Sequence, residues 1–465
     1  MSDNKIVIFS PLSKEKIGEV DAMTKDEVDQ VIRNARNAWP EWKNRCNAER
    51  MEKLYKVVDL LEEEAEPLSD LLVLEVGKDK KSAYQEVVRT ADLIRFTADL
   101  AKNMKGEMIP ADNFPGGSKN KYAITTKEPL GVVLAISPFN YPVNLAASKI
   151  APALVTGNVV VFKPATQGSL SGSYLAKIFH KAGVPQDVLG IVTGKGSEIG
   201  DYIIAHEEID FINFTGSTEI GQHIAKEAKM IPILMELGGK DAAIVLEDAD
   251  LDLTASNIVA GAFSYSGQRC TAIKRVLVVN EVVDSLIKKI LDKMKNLVVG
   301  NPLNSKDRFD VVPLINTSSA DFVEGLIHDA TGKGAKILFG GKREDNLIEP
   351  TLLDFVTKDM RVAWEEPFGP VLPIIRVSSM EEAIMIANES RYGLQSSVFT
   401  TNINKAFEVA KKLEVGTVQI NNKTERGPDN LPFLGVKDSG IGVQGIGYSI
   451  DAMTTIKSTV INLYS

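Results

Sequence analysis

The sequence has little of the residue types that most often announce a functional site. Two cysteines in 465 residues exclude a disulfide framework. The four histidines, His180, His206, His223 and His328, each stand alone on a helical stretch with no partner at ligand spacing, which leaves no pattern for a metal site or a Ser-His-Asp triad. No apolar run approaches the length of a membrane span, and Met1-Ser2-Asp3-Asn4-Lys5 leads into no signal-like apolar segment, so a cytoplasmic location is expected. There is no excess of basic charge either. Lys and Arg number 53 against 62 Asp and Glu, and the net charge of -9 offers no long-range attraction to nucleic acid or an anionic membrane. Any anionic ligand has to be held by a local group of arginines and lysines.

What is present is the composition of a soluble globular chain, 44% hydrophobic and 25% charged, long enough for two or three domains. Residues 24–104 read as helices: Thr24 and Glu27 form a capping box, and Val28, Val31, Ile32 and Ala35 recur at helical spacing. Beyond a Gly-Pro link at Phe114-Pro115-Gly116-Gly117 the period changes. Short β-rich runs at 131–136, 158–163, 189–193 and 210–214 alternate with helical segments, which predicts a parallel, doubly wound α/β sheet with its ligand at the carboxyl ends of the strands. A second α/β alternation spans about 250–433, with strands at 276–279 and 371–375 and amphipathic helices near 281–296, 319–331 and 404–414. The β-rich segments 121–126 and 454–461 belong to neither sheet, and they are expected to pair across a subunit interface.

Two segments carry chemistry. Gly267-Gln268-Arg269-Cys270-Thr271 sets a thiol at a glycine-kinked helix end among polar neighbours, and Glu236-Leu237-Gly238-Gly239-Lys240 lies 34 residues upstream. A thiol and a carboxylate beside glycines are the groups needed to form and then hydrolyse a thioester. Cys46, in a charged helical neighbourhood, has no such context. Two glycine-bearing turns follow strands, at 193–200 (containing Gly196) and at 214–221 (containing Thr215, Gly216 and Ser217), and neither is a strict G-x-G-x-x-G fingerprint. The second suits a pyrophosphate better, because Ser217 and Thr218 open a helix whose amides are free. Lys163 ends a strand, and no Asp or Glu occurs from there to Gln186. A ribose 2′-hydroxyl usually meets an acidic residue in that region and a 2′-phosphate is repelled by one, so NADP is expected, with NAD the weaker alternative.

In order along the chain, Pro138-Phe139-Asn140-Tyr141-Pro142, Phe162-Lys163-Pro164, Phe214-Thr215-Gly216-Ser217, Glu236-Leu237-Gly238-Gly239-Lys240, Gly267-Gln268-Arg269-Cys270 and Glu366-Pro367-Phe368-Gly369-Pro370 resemble the motifs of the aldehyde dehydrogenase superfamily over nearly the whole length. Glu86-Val87-Val88-Arg89-Thr90, Tyr141, Arg269 and the segment Asn421 to Gly427 are most similar to its NADP-dependent, non-phosphorylating glyceraldehyde-3-phosphate dehydrogenases. The resemblance implies an aldehyde dehydrogenase-like α/β fold. Its parts would be a Rossmann-type cofactor domain at 1–117 and 136–246, a catalytic domain at 247–433 and a small β oligomerisation element at 118–135 and 434–465 of a homotetramer. It also implies roles. Cys270 would be the nucleophile, Glu236 the base for deacylation and Asn140 an oxyanion donor. Lys163, Thr166, Gly196, Thr215, Gly216, Ser217, Leu237, Glu366 and Phe368 would meet the cofactor, and Arg89, Tyr141, Arg269, Thr271 and Arg426 the substrate. The chain is expected to lack most of the N-terminal β-hairpin that usually precedes the segment near Ser10. Three other readings remain open: a dehydrogenase of another anionic semialdehyde of the succinate or methylmalonate type, a coenzyme A-acylating enzyme, which has no need of a base at Glu236, and a binding protein that keeps only the fold.

Overall fold

In the computed structural model, residues 4–303, 305 and 307–464 are described, so the Met1-Ser2-Asp3 start lies outside them. Thr24 and Glu27 close the expected capping box at the helix Lys25–Asn44, which buries Val28, Ile32, Ala35 and Trp42. The helices Asn47–Glu63, Ala65–Val76 and Lys80–Ala101 follow, and their apolar faces share one core with the first sheet.

That sheet runs Gly440–Ile441, Ile233–Glu236, Phe211–Thr215, Val132–Ile136, Val159–Lys163, Leu189–Ile191, parallel except for the first strand. The chain starts at Val132–Ile136, winds outward to Leu189–Ile191, then returns to the other side with Phe211–Thr215. The reversal leaves a crevice at the carboxyl ends of Val132–Ile136 and Phe211–Thr215, where a doubly wound sheet holds its ligand. The second sheet has seven strands, ordered Lys336–Phe339, Thr351–Asp354, Val371–Val377, Arg275–Val279, Ala242–Val245, Gln395–Phe399, Thr417–Ile420. Successive residues of its strands feed opposite cores: Ile244 and Leu277 on one face, Ala243, Val276 and Val278 on the other. Burial on both faces explains why these strands read as continuous apolar runs.

One expectation is corrected. Lys121–Pro129 and Thr454–Asn462 pair with each other, antiparallel within the chain, with Met108–Pro110 as the third strand. Nine matched residues on each strand satisfy the ladder locally, and Thr454–Asn462 remains an outer strand. Near the N-terminus, Lys5–Phe9 pairs antiparallel with Lys16–Asp21 and buries Ile6 and Ile8 beneath it. Two of the histidines have a carboxylate partner. His206 meets Asp29 at 3.1 Å and His223 meets Asp201 at 2.7 Å.

Candidate active site

The helix Leu251–Phe263 ends in a kink where Tyr265, Ser266 and Gly267 all adopt positive φ, at 52, 56 and 69°. Two consecutive left-handed residues without glycine are costly, and the surroundings hold them. Tyr265 donates its hydroxyl to the Val76 carbonyl at 2.7 Å, and Ser266 donates to the Val312 carbonyl at 2.7 Å. At Gly267 a Cβ would stand 2.7 Å from the Gly369 carbonyl oxygen and 2.9 Å from that of Ala262. The kink turns the chain so that Cys270, half-buried, faces the crevice of the first sheet.

Glu236 reaches the same point from the carboxyl end of Ile233–Glu236. The Cys270 Sγ donates to Glu236 Oε1 at 3.0 Å. Burial, and then the Glu236 carboxylate, raise the Cys270 thiol well above the ordinary range, against a smaller pull from Lys274 and Arg426. The resting group is therefore a thiol whose proton already lies toward a carboxylate. Glu236 Oε2 accepts from Thr215 Oγ1 at 3.3 Å and pairs with Arg426 Nη1 at 2.8 Å. Thr215 in turn accepts from Lys149 Nζ at 2.6 Å, and burial pushes Lys149 down to about 7. Asn140 donates one Nδ2 hydrogen to the Gln268 carbonyl at 3.0 Å, which fixes its amide across from the nucleophile and leaves the other hydrogen to a ligand.

Beneath Asn140, the helix Asn144–Val155 is capped by Glu86, whose Oε1 accepts from the amides of Val143 at 3.0 Å and Asn144 at 3.1 Å. Its other oxygen pairs with Lys78, and both side chains are almost fully buried. The Lys78 ammonium stands 3.6 Å from the Tyr141 ring centre. On the far side of the nucleophile, Lys274 donates to the Cys270 carbonyl and pairs with Glu366 Oε1 at 3.0 Å. Burial alone would lower Lys274, but Glu366 and Asp241 outweigh it and hold the lysine charged.

A cleft of about 680 Å³ opens from Cys270 along the sheet. Asn140, Thr215, Gly216, Ser217, Leu237, Glu366 and Phe368 all line it. Ser217 caps the helix Thr218–Glu227, whose amides start at the cleft. Lys163, Thr166 and Gly196 are not part of the lining; Ala165 takes that stretch of the wall. Lys163 ends Val159–Lys163, is lowered by burial and pairs with no carboxylate among the described residues. Gly196 is exposed at the start of the helix Gly196–Ile204.

The matching chain spans these elements throughout. The aldehyde dehydrogenase family model matches residues 1–459. The chain belongs to the aldehyde dehydrogenase family. It is 56% identical to the NADP-dependent glyceraldehyde-3-phosphate dehydrogenase of Streptococcus equinus, over 100% of this chain and 97% of that protein. It is 51% identical to the Triticum aestivum protein of the same name, over 100% of this chain and 93% of that one. Among solved structures of the family, that of NADP-dependent glyceraldehyde-3-phosphate dehydrogenase from Bacillus halodurans C-125 complexed with NADP superposes with a TM-score of 0.98. It is 56% identical and is matched over 99% of this chain and 96% of that one.

Of the arginines expected at the substrate, Arg89 and Arg426 meet around Asp429, and each of the three is tied to the protein. Arg89 grips Asp429 with two nitrogens, at 2.7 and 2.9 Å, and donates to the Arg426 carbonyl at 3.0 Å. Gly427, at φ 118°, lets the Arg89 guanidinium lie against that loop, since a Cβ would come within 2.9 Å of it. Arg426 pairs with Glu236. Arg269 donates to the Gly261 carbonyl at 2.5 Å, while its buried Nε has no partner among the described residues. Tyr141 meets Tyr265 edge-on at 6.3 Å. Thr271 is buried and anchors the loop through a bond from Thr424 Oγ1 at 2.9 Å. Sequence reasoning missed Asp429, Lys149, Lys274 and Lys78. Only Asp429 had a signal, two residues past the arginine segment.

Proposed function

We propose that the chain oxidises glyceraldehyde 3-phosphate to 3-phosphoglycerate with reduction of NADP, without inorganic phosphate. The observation that carries this is the 3.0 Å contact between Cys270 Sγ and Glu236 Oε1 at the inner end of the cleft, in a chain 56% identical to enzymes of that name. Full-length identity supports the substrate, and the arginines around Asp429 supply the local positive charge that an acidic protein needs for a phosphorylated triose.

In this reading the Cys270 proton passes to solvent, through Glu236 or directly to water, and the sulfur adds to the aldehyde carbon. Asn140 Nδ2 and the Cys270 backbone N–H stabilise the oxyanion of the thiohemiacetal. Held in the cleft, NADP would supply the hydride acceptor for that carbon, and Cys270 would then carry the acyl group as a thioester. Glu236 then takes a proton from water, the water oxygen adds to the thioester carbon, the C–S bond breaks, and the acid leaves while Cys270 departs as thiolate. For the cofactor, Ser217 and the helix amides suit the pyrophosphate, Glu366 the nicotinamide ribose, and Lys163 and Thr166 the adenosine ribose phosphate, with Gly196 nearby. The cleft's size and the helix N-terminus on its wall fit a dinucleotide.

We also propose the division into a cofactor domain at 1–117 and 136–246, a catalytic domain at 247–433 and an oligomerisation element at 118–135 and 434–465. The outer strand Thr454–Asn462 supports a homotetramer through the small sheet. No described helix is long and apolar enough to cross a membrane, which is compatible with a cytoplasmic location. A second reading, oxidation of a carboxylate-bearing semialdehyde, is favoured only by Arg269, since a guanidinium beside the nucleophile suits either anion.

The test is a burst experiment with glyceraldehyde 3-phosphate, succinate semialdehyde and uncharged aldehydes in phosphate-free buffer. Glu236→Ala should release about one NADPH per site and stall, and Cys270→Ala should give none. Equal loss of the burst in both variants would reassign Glu236 to thiol activation. Preference for succinate semialdehyde would replace the substrate.

A further inference from the structure

We propose that Arg426 latches the general base in the resting enzyme, and that the anionic end of the substrate releases it by drawing the guanidinium away from Glu236. The inference rests on the proposed function and goes beyond it, because it links occupancy of the phosphate position to the hydrolytic half-reaction.

Four observations carry it. Arg426 Nη1 lies 2.8 Å from Glu236 Oε2, with side-chain exposures of only 12 and 2%, so the pair is poorly screened by solvent. The same carboxylate holds the Cys270 thiol through its other oxygen, so Arg426 acts on the group that must later take a proton from water. Arg426 also has somewhere to go. Its Nε is 3.8 Å from Asp429 Oδ1, and the guanidinium carbon lies 5.0 Å from the Phe433 ring centre. Its backbone is meanwhile pinned by Arg89, which a phosphate would share. The titratable and charged groups facing Glu236 are the Cys270 thiol, Arg426 and, behind Thr215, Lys149; Lys274 faces the thiol from the other side.

Arg426 occupies Oε2 of Glu236, which Thr215 also holds, so a water has to compete with a charge-assisted hydrogen bond for that oxygen until the guanidinium moves. Freeing that oxygen removes a hydrogen bond that the base must otherwise break before it serves water, so hydrolysis should speed up roughly three- to tenfold. An unphosphorylated aldehyde therefore forms its thioester but leaves Arg426 on Glu236, and hydrolysis is slow.

The experiment uses the wild-type enzyme with glyceraldehyde and NADP, with phosphite dianion added as a separate piece of the substrate. Phosphite should raise the steady-state rate roughly three- to tenfold while the rate of the NADPH burst stays unchanged. No acceleration, or acceleration of the burst alone, overturns the latch. Arg426→Met should turn glyceraldehyde over faster than wild type without phosphite and gain nothing from adding it, while kcat/KM for glyceraldehyde 3-phosphate falls. Slower or unchanged glyceraldehyde turnover in a folded Arg426→Met enzyme overturns it too. Failure of the underlying function looks different, since wild type would then show no preference for glyceraldehyde 3-phosphate over glyceraldehyde.

Discussion

Replacing Glu86 by Gln tests whether the ion pair under the oxyanion loop holds that loop in place. Lys78 and Glu86 are 1 and 0% exposed at the side chain, so the pair needs no discount for solvent. Removing the carboxylate charge leaves a buried ammonium without its counter-ion, a loss of about 3–5 kcal/mol in comparable sites. The Tyr141 ring, 3.6 Å from the ammonium, returns up to about 2 kcal/mol of that as a desolvated cation–π contact. Glutamine keeps a carbonyl for the amides of Val143 and Asn144, so the net loss should be about 1–3 kcal/mol. Lys78→Met should cost less, because the stranded Glu86 still accepts two amides at the N-terminus of Asn144–Val155. The double variant, with no unpaired charge, should fall within about 1 kcal/mol of wild type. Urea unfolding followed by tryptophan fluorescence, with unchanged m-values, measures all four corners of the cycle. Simple additivity of the two single substitutions would refute the argument that the pair matters through its charge.

Three further outcomes follow from particular residues. Gly267→Ala adds a Cβ against two backbone carbonyls at positive φ, so it should cost about 3 kcal/mol or more in urea unfolding and lower kcat by displacing Cys270; a loss under about 1 kcal/mol would refute the constraint. Thr166→Glu should erase or reverse the preference for NADP in kcat/KM by repelling the 2′-phosphate, and an unchanged NADP/NAD ratio would place that phosphate elsewhere. Lys149, pushed down to about 7, is neutral in the folded state at alkaline pH while the unfolded chain still binds its proton up to about 10.5, so wild type should gain stability as pH rises through that window. Relative to Lys149→Met the gain should be about 2 kcal/mol between roughly pH 7.5 and 9, and parallel pH dependence in the two proteins would rule out the buried lysine as its source.

The elements legible in the sequence were those set by local rules. The capping box at Thr24, the alternation of apolar runs and helices, the serine cap at Ser217 and the glycine-bearing turn before Cys270 each depend on neighbours within a few residues, and each stands where the pattern put it. The pairing of Lys121–Pro129 with Thr454–Asn462 was not legible, because two exposed β segments carry no signal naming their partner more than three hundred residues away. The same holds within the site. Residue types and motif order brought Cys270, Glu236 and Asn140 together on paper, yet that Arg426 rests on Glu236, Arg89 on Asp429, and Lys274 between Cys270 and Glu366 was decided only by the packing of two sheets. A long, charged side chain chooses its partner by which opposite charge the fold places within reach after water is excluded, and that distance is not written in the local sequence.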